Sequence, residues 1–368
     1  MKQDDIETKD MFMTTFDLPP HFLNVARRFM IFGADFNECE RVLSTIPSMD
    51  QWHTQWSRSG ARFEKTALKS HAEGKVATAR ALYFQSFFSY RLAGFPLLDD
   101  TQERRQLYNK AMWAFREGAG LDTLPIDFLE IPFEAKSFPG YLAKPAYTKG
   151  QVPVVIYLPG ADGWKEDQFF VAVHFLAERG IASIVVDGPG QGESVGVRQM
   201  YARPDYEVVV TAILDYLENQ PGIDTKRVAL IGSSMGGYYA PRAAAFEKRI
   251  KAIVCYSAIF DLVEGVFDPY PPIRSRLKEI VGAKTVDEAR EQLLAFTLKH
   301  IVHQIECPCL IIHGGKDIII PVSEAHRLFA ALKSPKELKI WEDGNHNLLN
   351  YYIEARAVMY DWVKDQLK

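Results

Sequence analysis

Three residues of complementary chemistry stand far apart in this chain, each at the exit of an apolar run. The first is a serine. Val228-Ala229-Leu230-Ile231-Gly232-Ser233-Ser234-Met235-Gly236-Gly237 carries a strand pattern straight into G-x-S-x-G and then into a helix pattern beginning Tyr238-Tyr239-Ala240. Strand, sharp turn and helix form the context that presents a serine hydroxyl as a nucleophile. The glycines two residues before and two after it are needed where backbone segments approach too closely for a Cβ. The spacing selects Ser234 over Ser233, and the helix that follows aims its first N–H groups at negative charge developing there.

A serine hydroxyl needs a base, and the base needs a carboxylate to orient it. Cys309-Leu310-Ile311-Ile312-His313-Gly314-Gly315-Lys316-Asp317 reads as a buried strand, a glycine turn and an aspartate, 83 residues after Ser234. Leu338-Lys339-Ile340-Trp341-Glu342-Asp343-Gly344-Asn345-His346 is a further strand, and its histidine follows Asp317 by 29 residues. The order serine, acid, base places all three at strand ends along one edge of a sheet. Glu342 and Asp343 compete for the orienting role, but three or four residues before the base they are poorly placed to reach behind it. The other eight histidines, His313 among them, fall in helix patterns or inside a strand and read as packing or surface residues.

Acyl transfer also needs N–H donors for an oxyanion. One is expected from Met235, the residue after the nucleophile. The second is expected from Tyr157-Leu158-Pro159-Gly160-Ala161-Asp162-Gly163, an earlier strand exit with small residues, at Ala161 and next at Gly160. A third glycine-rich exit, Asp187-Gly188-Pro189-Gly190-Gln191-Gly192-Glu193-Ser194, lacks the Lys-Ser/Thr of a P-loop and the G-x-G-x-x-G of a dinucleotide fold. It reads as a structural turn beside the site.

The elements that must position these residues follow two rhythms. Up to about residue 122 the chain reads as helix. Apolar positions recur at three- and four-residue intervals from Asp50 to Tyr90, Gly74 punctuates them, Gly94-Phe95-Pro96 ends the second helix, and 101–118 supplies a third. Tyr83, Phe84, Phe87, Phe88 and Tyr90 form an aromatic stripe that is plain core or one wall of an apolar pocket. From 123 onward, strand patterns at Phe128–Phe133, Val152–Leu158, Ile181–Asp187, Val228–Gly232, Ala252–Tyr256, Cys309–His313 and Leu338–Trp341 alternate with helix patterns near 166–179, 205–219, 235–246, 322–333 and 349–366. Unbroken apolar strands in such alternation predict an α/β fold with a doubly wound, mostly parallel sheet. The stretch 258–304 interrupts the alternation and is expected to be a lid over the strand ends. The expected domains are therefore a helical cap, 1–122, and a catalytic domain, 123–368, carrying that insertion.

Composition narrows the partners. The 368 residues are 47% hydrophobic and 24% charged, and 43 Lys+Arg against 47 Asp+Glu leave a formal charge of −4, without the basic footprint of a nucleic-acid binder. Four cysteines make no disulfide scaffold, and Cys307-Pro308-Cys309 reads as packing rather than a metal site. No metal or organic cofactor is implied. MKQDDIETKD has no apolar core of a signal peptide, and no run of about 18 apolar residues appears. The expectation is a soluble, cytoplasmic protein with a small-molecule partner and neither nucleic acid nor membrane. Its oligomeric state is open, with a homodimer as one candidate.

The motifs G-S-S-M-G-G, D-G-P-G-Q-G-E-S, H-G-G-K-D and D-G-N-H resemble those of the α/β-hydrolase-fold serine hydrolases across about 130–368. Adding the helical front region, the P-G-A-D-G strand exit, the 83- and 29-residue spacings and the mid-length lid, the chain is similar to the 2,6-dihydroxypseudooxynicotine hydrolase family, which includes hydrolases that shorten polyketides. That resemblance implies a triad of Ser234, His346 and Asp317 and a helical domain closing over the site. It further implies cleavage of a carbon–carbon bond next to a ketone in a polyketide or aryl-diketone compound of secondary metabolism. It also implies an extra acid from the region after the nucleophile strand, for which Asp261 and Glu264 are the candidates. Chemistry asks for something of the kind. An ester expels an alkoxide that His346 can protonate, whereas a carbanion needs a second proton source or an electron sink in the substrate. Two other readings stand beside this one: a carboxylesterase, thioesterase or amide hydrolase with the same triad, and a non-catalytic binding protein on a hydrolase scaffold.

Overall fold

The computed structural model describes residues 18, 20–98, 101–147 and 150–368. The acidic N-terminal stretch considered above lies outside the described residues. The chain divides between Asp122 and Thr123 into two compact units.

The first unit is helical: α1 (Pro20–Phe32), α2 (Phe36–Leu43), α3 (Trp52–Ala72), α4 (Val76–Gly94) and α5 (Gln102–Gly120). Asp35 and Thr101 cap α2 and α5 by accepting from the N–H groups of Glu38 and Arg104. Gly74, at φ 72°, makes the left-handed turn that separates α3 from α4. The aromatic stripe is core. Tyr83, Phe87, Phe88 and Tyr90 are buried, and Tyr83 and Phe87 pack edge-on against Trp113 and Phe115 at 5.6 and 5.5 Å between ring centroids. Burying each ring stabilises the unit by about 1.5–3 kcal/mol.

In the second unit eight strands form one sheet among the described residues: β1 (Ile126–Phe133), β2 (Lys136–Ala143), β3 (Val152–Leu158), β4 (Ala182–Val186), β5 (Ile223–Ser233), β6 (Ile250–Tyr256), β7 (Cys309–Gly314) and β8 (Lys336–Trp341). Their order is β1-β2-β4-β3-β5-β6-β7-β8. β1 and β2 run antiparallel, as do β2 and β4, and every later pairing is parallel. The sequence pattern omits β2, because Pro139-Gly140 in its middle reads as a turn. Both residues stay in the strand because β4 lies against them. The Pro139 carbonyl accepts from Asp187 N, and a Cβ on Gly140 would meet the Val185 carbonyl at 2.8 Å, so β4 lies too close for any side chain there.

Two helix patterns are also broken by the fold. The 166–179 segment becomes Lys165–Gln168, a π-turn at Phe169–Val173 and His174–Ala177. The last helix begins at Tyr352, after a 3-10 stretch from His346. Within 258–304, Val263–Phe267 forms a π-turn and Arg274–Ile280 and Val286–Leu293 form helices. Leu277, Ile280, Leu293 and Phe296 from this stretch are buried, and the Phe296 ring sits 5.6 Å from Tyr238 on the helix after the elbow. Among the described residues no helix is long and apolar enough to cross a membrane.

Strand order reverses at β3, which has β4 on one side and β5 on the other, and such a switch opens a crevice at the carboxyl ends of the strands. Register aligns those ends. Leu158 pairs with Gly232, Ser233 with Tyr256, Tyr256 with Ile312, and Gly314 with Trp341. The segments that leave β3, β5, β6, β7 and β8 therefore emerge along one edge.

Candidate active site

Ser234 is the first residue beyond β5 and adopts φ 56°, a left-handed conformation that a non-glycine residue takes up only when its surroundings impose it. The surroundings are visible. Ser234 N donates to the Tyr256 carbonyl at 2.8 Å, and the Ser234 carbonyl accepts from Gly237 N at 2.7 Å. A Cβ on Gly232 would lie 1.9 Å from the Gly236 carbonyl, and one on Gly236 would lie 2.0 Å from the Leu158 carbonyl. The two flanking glycines thus allow β5, the turn and β3 to touch. The helix Gly236–Phe246 starts at this point, with the positive end of its dipole beside the serine.

Asp317 and His346 meet as their order suggests. His346 Nδ1 donates to Asp317 Oδ2 at 2.7 Å. Asp317 Oδ1 accepts from the N–H groups of Ile319 and Ile320, at 2.9 Å each. The Asp317 side chain is fully buried. Burial alone would raise its pKa, but the His346 charge and hydrogen bond and the Ile320 N–H outweigh it and hold the carboxyl below the ordinary range. An ionised Asp317 keeps the His346 proton on Nδ1 and leaves Nε2 without one. Glu342 and Asp343 are exposed and do not touch His346; Asp343 instead accepts from Tyr351.

The loop that carries His346 is strained and tied down. Asn347 and Leu348 both have positive φ, 54° and 45°. Asn347 N donates to Ser257 Oγ at 3.1 Å, and the Tyr256 hydroxyl donates to the Asn347 carbonyl. Since Tyr256 also accepts from Ser234 N, the end of β6 links the elbow to the residue next to His346. Among the described residues neither Ser234 Oγ nor His346 Nε2 has a hydrogen-bond partner, so both are available to a reactant.

The same holds for the expected oxyanion donors. The N–H groups of Gly160, Ala161 and Met235 donate to no acceptor among the described residues. Gly160 abuts the serine: a Cβ there would lie 3.1 Å from Ser234 Cβ and 3.5 Å from its Oγ. Asp261 and Glu264 stand apart from these groups. Asp261 accepts from Glu264 N and pairs with Lys299, and Glu264 pairs with Lys299 and Arg327. Burial would raise the Asp261 pKa, but its hydrogen bonds and Lys299 lower it. Glu264 is lowered by Lys299 and Arg327, so both carboxylates are ionised and neither bonds to Ser234 or His346.

Three residues that the sequence pattern passes over support the site. His313 is buried, donates from Nε2 to the Ile320 carbonyl at 2.9 Å and lies 3.6 Å from Asp317 Oδ2. Burial lowers its pKa and keeps it neutral. Ser257, at φ 51°, holds Asn347, and Gln191 holds the loop after β3. Their common signal is position: each follows or ends a strand on the edge that carries Ser234. Among the described residues no group of three or more His, Cys, Asp or Glu could hold a metal ion. Cys255 and Cys309 are buried thiols of the core, 3.8 Å apart.

Known proteins resemble this one over most of its length. A family model described as esterase FrsA-like matches residues 34–368. The 2,6-dihydropseudooxynicotine hydrolase of Paenarthrobacter nicotinovorans is 28% identical over 324 residues, covering 87% of this chain and 86% of that protein. The alpha/beta hydrolase xenA of Xenoacremonium sinensis is 32% identical over 244 residues, 63% of this chain, and the match spans only 57% of xenA's length. The crystal structure of a 2,6-dihydroxy-pseudo-oxynicotine hydrolase superposes with a TM-score of 0.84 at 26% identity, covering 93% of this chain and 95% of that one.

Proposed function

This chain belongs to the esterase FrsA-like family of α/β hydrolases, and we propose that it is a serine hydrolase that cleaves a carbon–carbon bond next to a ketone in a polyketide or aryl-diketone compound. The observation that carries the serine-hydrolase part of this reading is the 2.7 Å contact between His346 Nδ1 and the buried, ionised Asp317. It leaves a basic Nε2 on the sheet edge that presents Ser234 on a strained elbow.

In the proposed mechanism His346 Nε2 takes the Ser234 proton as Oγ adds to the substrate carbonyl. The Met235 N–H, with that of Ala161 or Gly160, receives the oxyanion. Collapse breaks the carbon–carbon bond, leaves an acyl group on Ser234 and expels a carbanion. When the substrate is a 1,3-diketone, that carbanion is an enolate stabilised by the second carbonyl, and the His346 imidazolium returns the proton. Water then adds to the acyl-enzyme with His346 again as base, releasing the acid. The likeness to the pseudooxynicotine hydrolase over most of both chains supports a ketonic substrate. Residues 258–304 as a lid and the helical unit as a cap belong to the same proposal.

A specific observation favours a second reading, ester hydrolysis by the same groups. With Asp261 and Glu264 both ionised and bound to cations, neither offers a proton to a carbanion that lacks a second carbonyl, whereas an alkoxide leaving group needs only His346. A panel of β-diketones beside short-chain p-nitrophenyl esters separates the two. Rapid ester turnover without diketone cleavage would refute the carbon–carbon reading. Glu264→Gln and Asp261→Asn refine it: loss of diketone cleavage alone assigns the leaving-group proton to that acid, and equal effects in both assays assign it to His346. A fluorophosphonate probe is expected to label the wild type and not Ser234→Ala. A folded wild type that resists labelling would point to a binding protein.

A further inference from the structure

The 187–194 turn, expected from its sequence to be structural, grips both ends of the loop after β3. At the near end, Gln191 Nε2 donates to the Pro159 carbonyl at 2.5 Å. Gln191 Oε1 in turn accepts from the Tyr206 hydroxyl at 3.0 Å, so the amide cannot rotate without losing a bond at each end. Tyr206 stacks on Tyr239 with centroids 3.6 Å apart, and Tyr239 lies on the helix that starts at the elbow. Gln191, Tyr206 and Tyr239 are all at most 1% exposed. At the far end, Asp187 accepts from Lys165 N at 2.7 Å and from Lys165 Nζ at 2.9 Å. Between the two grips lie Gly160 and Ala161, whose N–H groups have no acceptor among the described residues.

The peptide between Pro159 and Gly160 is planar, so its carbonyl and its N–H point in opposite directions. A group that pins the Pro159 carbonyl therefore pins the Gly160 N–H on the other side, and the Ala161 amide follows one residue on. We propose that Gln191 is a positioning residue for the oxyanion hole, with Tyr206 holding it in register. It acts on the transition state and not on substrate affinity, because it touches only the backbone of the donor loop. This inference rests on the serine-hydrolase reading.

The test compares the wild type with Gln191→Met, which keeps the length but removes donor and acceptor, and with Tyr206→Phe, which keeps the stacked ring and removes only the hydroxyl. Four quantities are measured: the fluorophosphonate labelling rate, kcat and KM on a p-nitrophenyl ester, the inhibition constant of an alkylboronic acid, and the melting temperature. In Gln191→Met, labelling rate and kcat are expected to fall about 10- to 100-fold, up to the cost of a group misplaced by about 1 Å and below the roughly 100- to 1,000-fold of a missing oxyanion donor. Boronic acid affinity should fall in parallel while KM stays within about threefold. Tyr206→Phe should move the same quantities in the same direction by a smaller factor, with a loss of only a few degrees in melting temperature for the orphaned Gln191 Oε1, and it alone decides if Gln191→Met does not fold. Folded variants with wild-type labelling and boronic acid affinity overturn the proposal, as does a raised KM with kcat intact. A wild type that neither reacts with the probe nor loses activity in Ser234→Ala overturns the underlying reading as well.

Discussion

Replacing Asp317 by Asn tests the claim that this carboxylate sets the tautomer of His346, and the structure dictates how the amide must sit. Asp317 Oδ1 receives two backbone N–H groups, from Ile319 and Ile320, and both are donors. Turning the amide so that NH2 faces them would orphan two donors in a buried site, at about 1–3 kcal/mol each. The amide oxygen therefore stays where Oδ1 was, and NH2 takes the place of Oδ2, opposite His346 Nδ1. Facing a donor, Nδ1 must give up its proton and accept, which puts the proton on Nε2. A ring protonated at Nε2 cannot take the Ser234 proton. The expected loss in kcat/KM is about 10⁴-fold, the size of a wrong-tautomer defect in a serine triad and equivalent to about 5.5 kcal/mol of transition-state stabilisation. Stability at neutral pH should fall only by what the carboxylate charge contributes, because both backbone contacts survive. Asp317→Ala should lose comparable activity and in addition several degrees of melting temperature, since it orphans both N–H groups. Steady-state kinetics and fluorophosphonate labelling read the first effect and thermal melting the second. An Asp317→Asn protein within tenfold of wild-type activity would refute the tautomer argument.

The folded-state pKa of Asp317 is depressed, so its contribution to stability is present above the unfolded value of about 3.9 and is lost as pH falls through the folded one. Acid melting curves of Asp317→Asn should accordingly be shallower than those of the wild type, and identical curves would contradict this. Glu166 has the opposite sign: burial, which Lys165 only partly offsets, pushes its carboxyl up to about 7, and its Oε2 has no partner among the described residues. Its contribution is full below the unfolded value and fades as pH rises through about 7. Glu166→Gln, which imitates the protonated form, should therefore match the wild type at about pH 4 and exceed it at pH 8, by on the order of 1–3 kcal/mol; a less stable variant at pH 8 would reverse the argument. Gly236→Ala drives a Cβ to 2.0 Å from the Leu158 carbonyl and should cost about 3 kcal/mol or more. Gly74→Ala meets open space at φ 72° and should cost about 1 kcal/mol. Equal melting temperatures for the two would show that the elbow is not tightly packed against β3.

Much of this protein is legible in one dimension, because the features concerned are local. The helical period around Gly74, the apolar runs of β3 to β7 and the glycine spacing around Ser234 are each written within short stretches of sequence, and such patterns survive in a string. The order of Ser234, Asp317 and His346 is legible for the same reason: each closes a strand whose apolar run announces it. β2 escaped because Pro139-Gly140 is a turn signal that only the close approach of β4 overrides.

What the linear order leaves undetermined is every relation that depends on two strand ends meeting. Asp317 and not Asp343 receives His346 because β7 and β8 pair with Gly314 opposite Trp341, which brings the β7 turn behind the ring. His313 reads as a packing residue until the turn after β7 folds Ile320 and Asp317 against it. Asp261 and Glu264 read as free acids until the fold supplies Lys299 and Arg327. Gln191 reads as one polar residue in a glycine turn until the β4 and β3 exits lie side by side and its amide reaches Pro159. A side chain's chemistry is written in its identity, but the field, the hydrogen-bond partner and the burial that tune it come from residues that the chain order does not set beside it, and only the fold brings those within 4 Å.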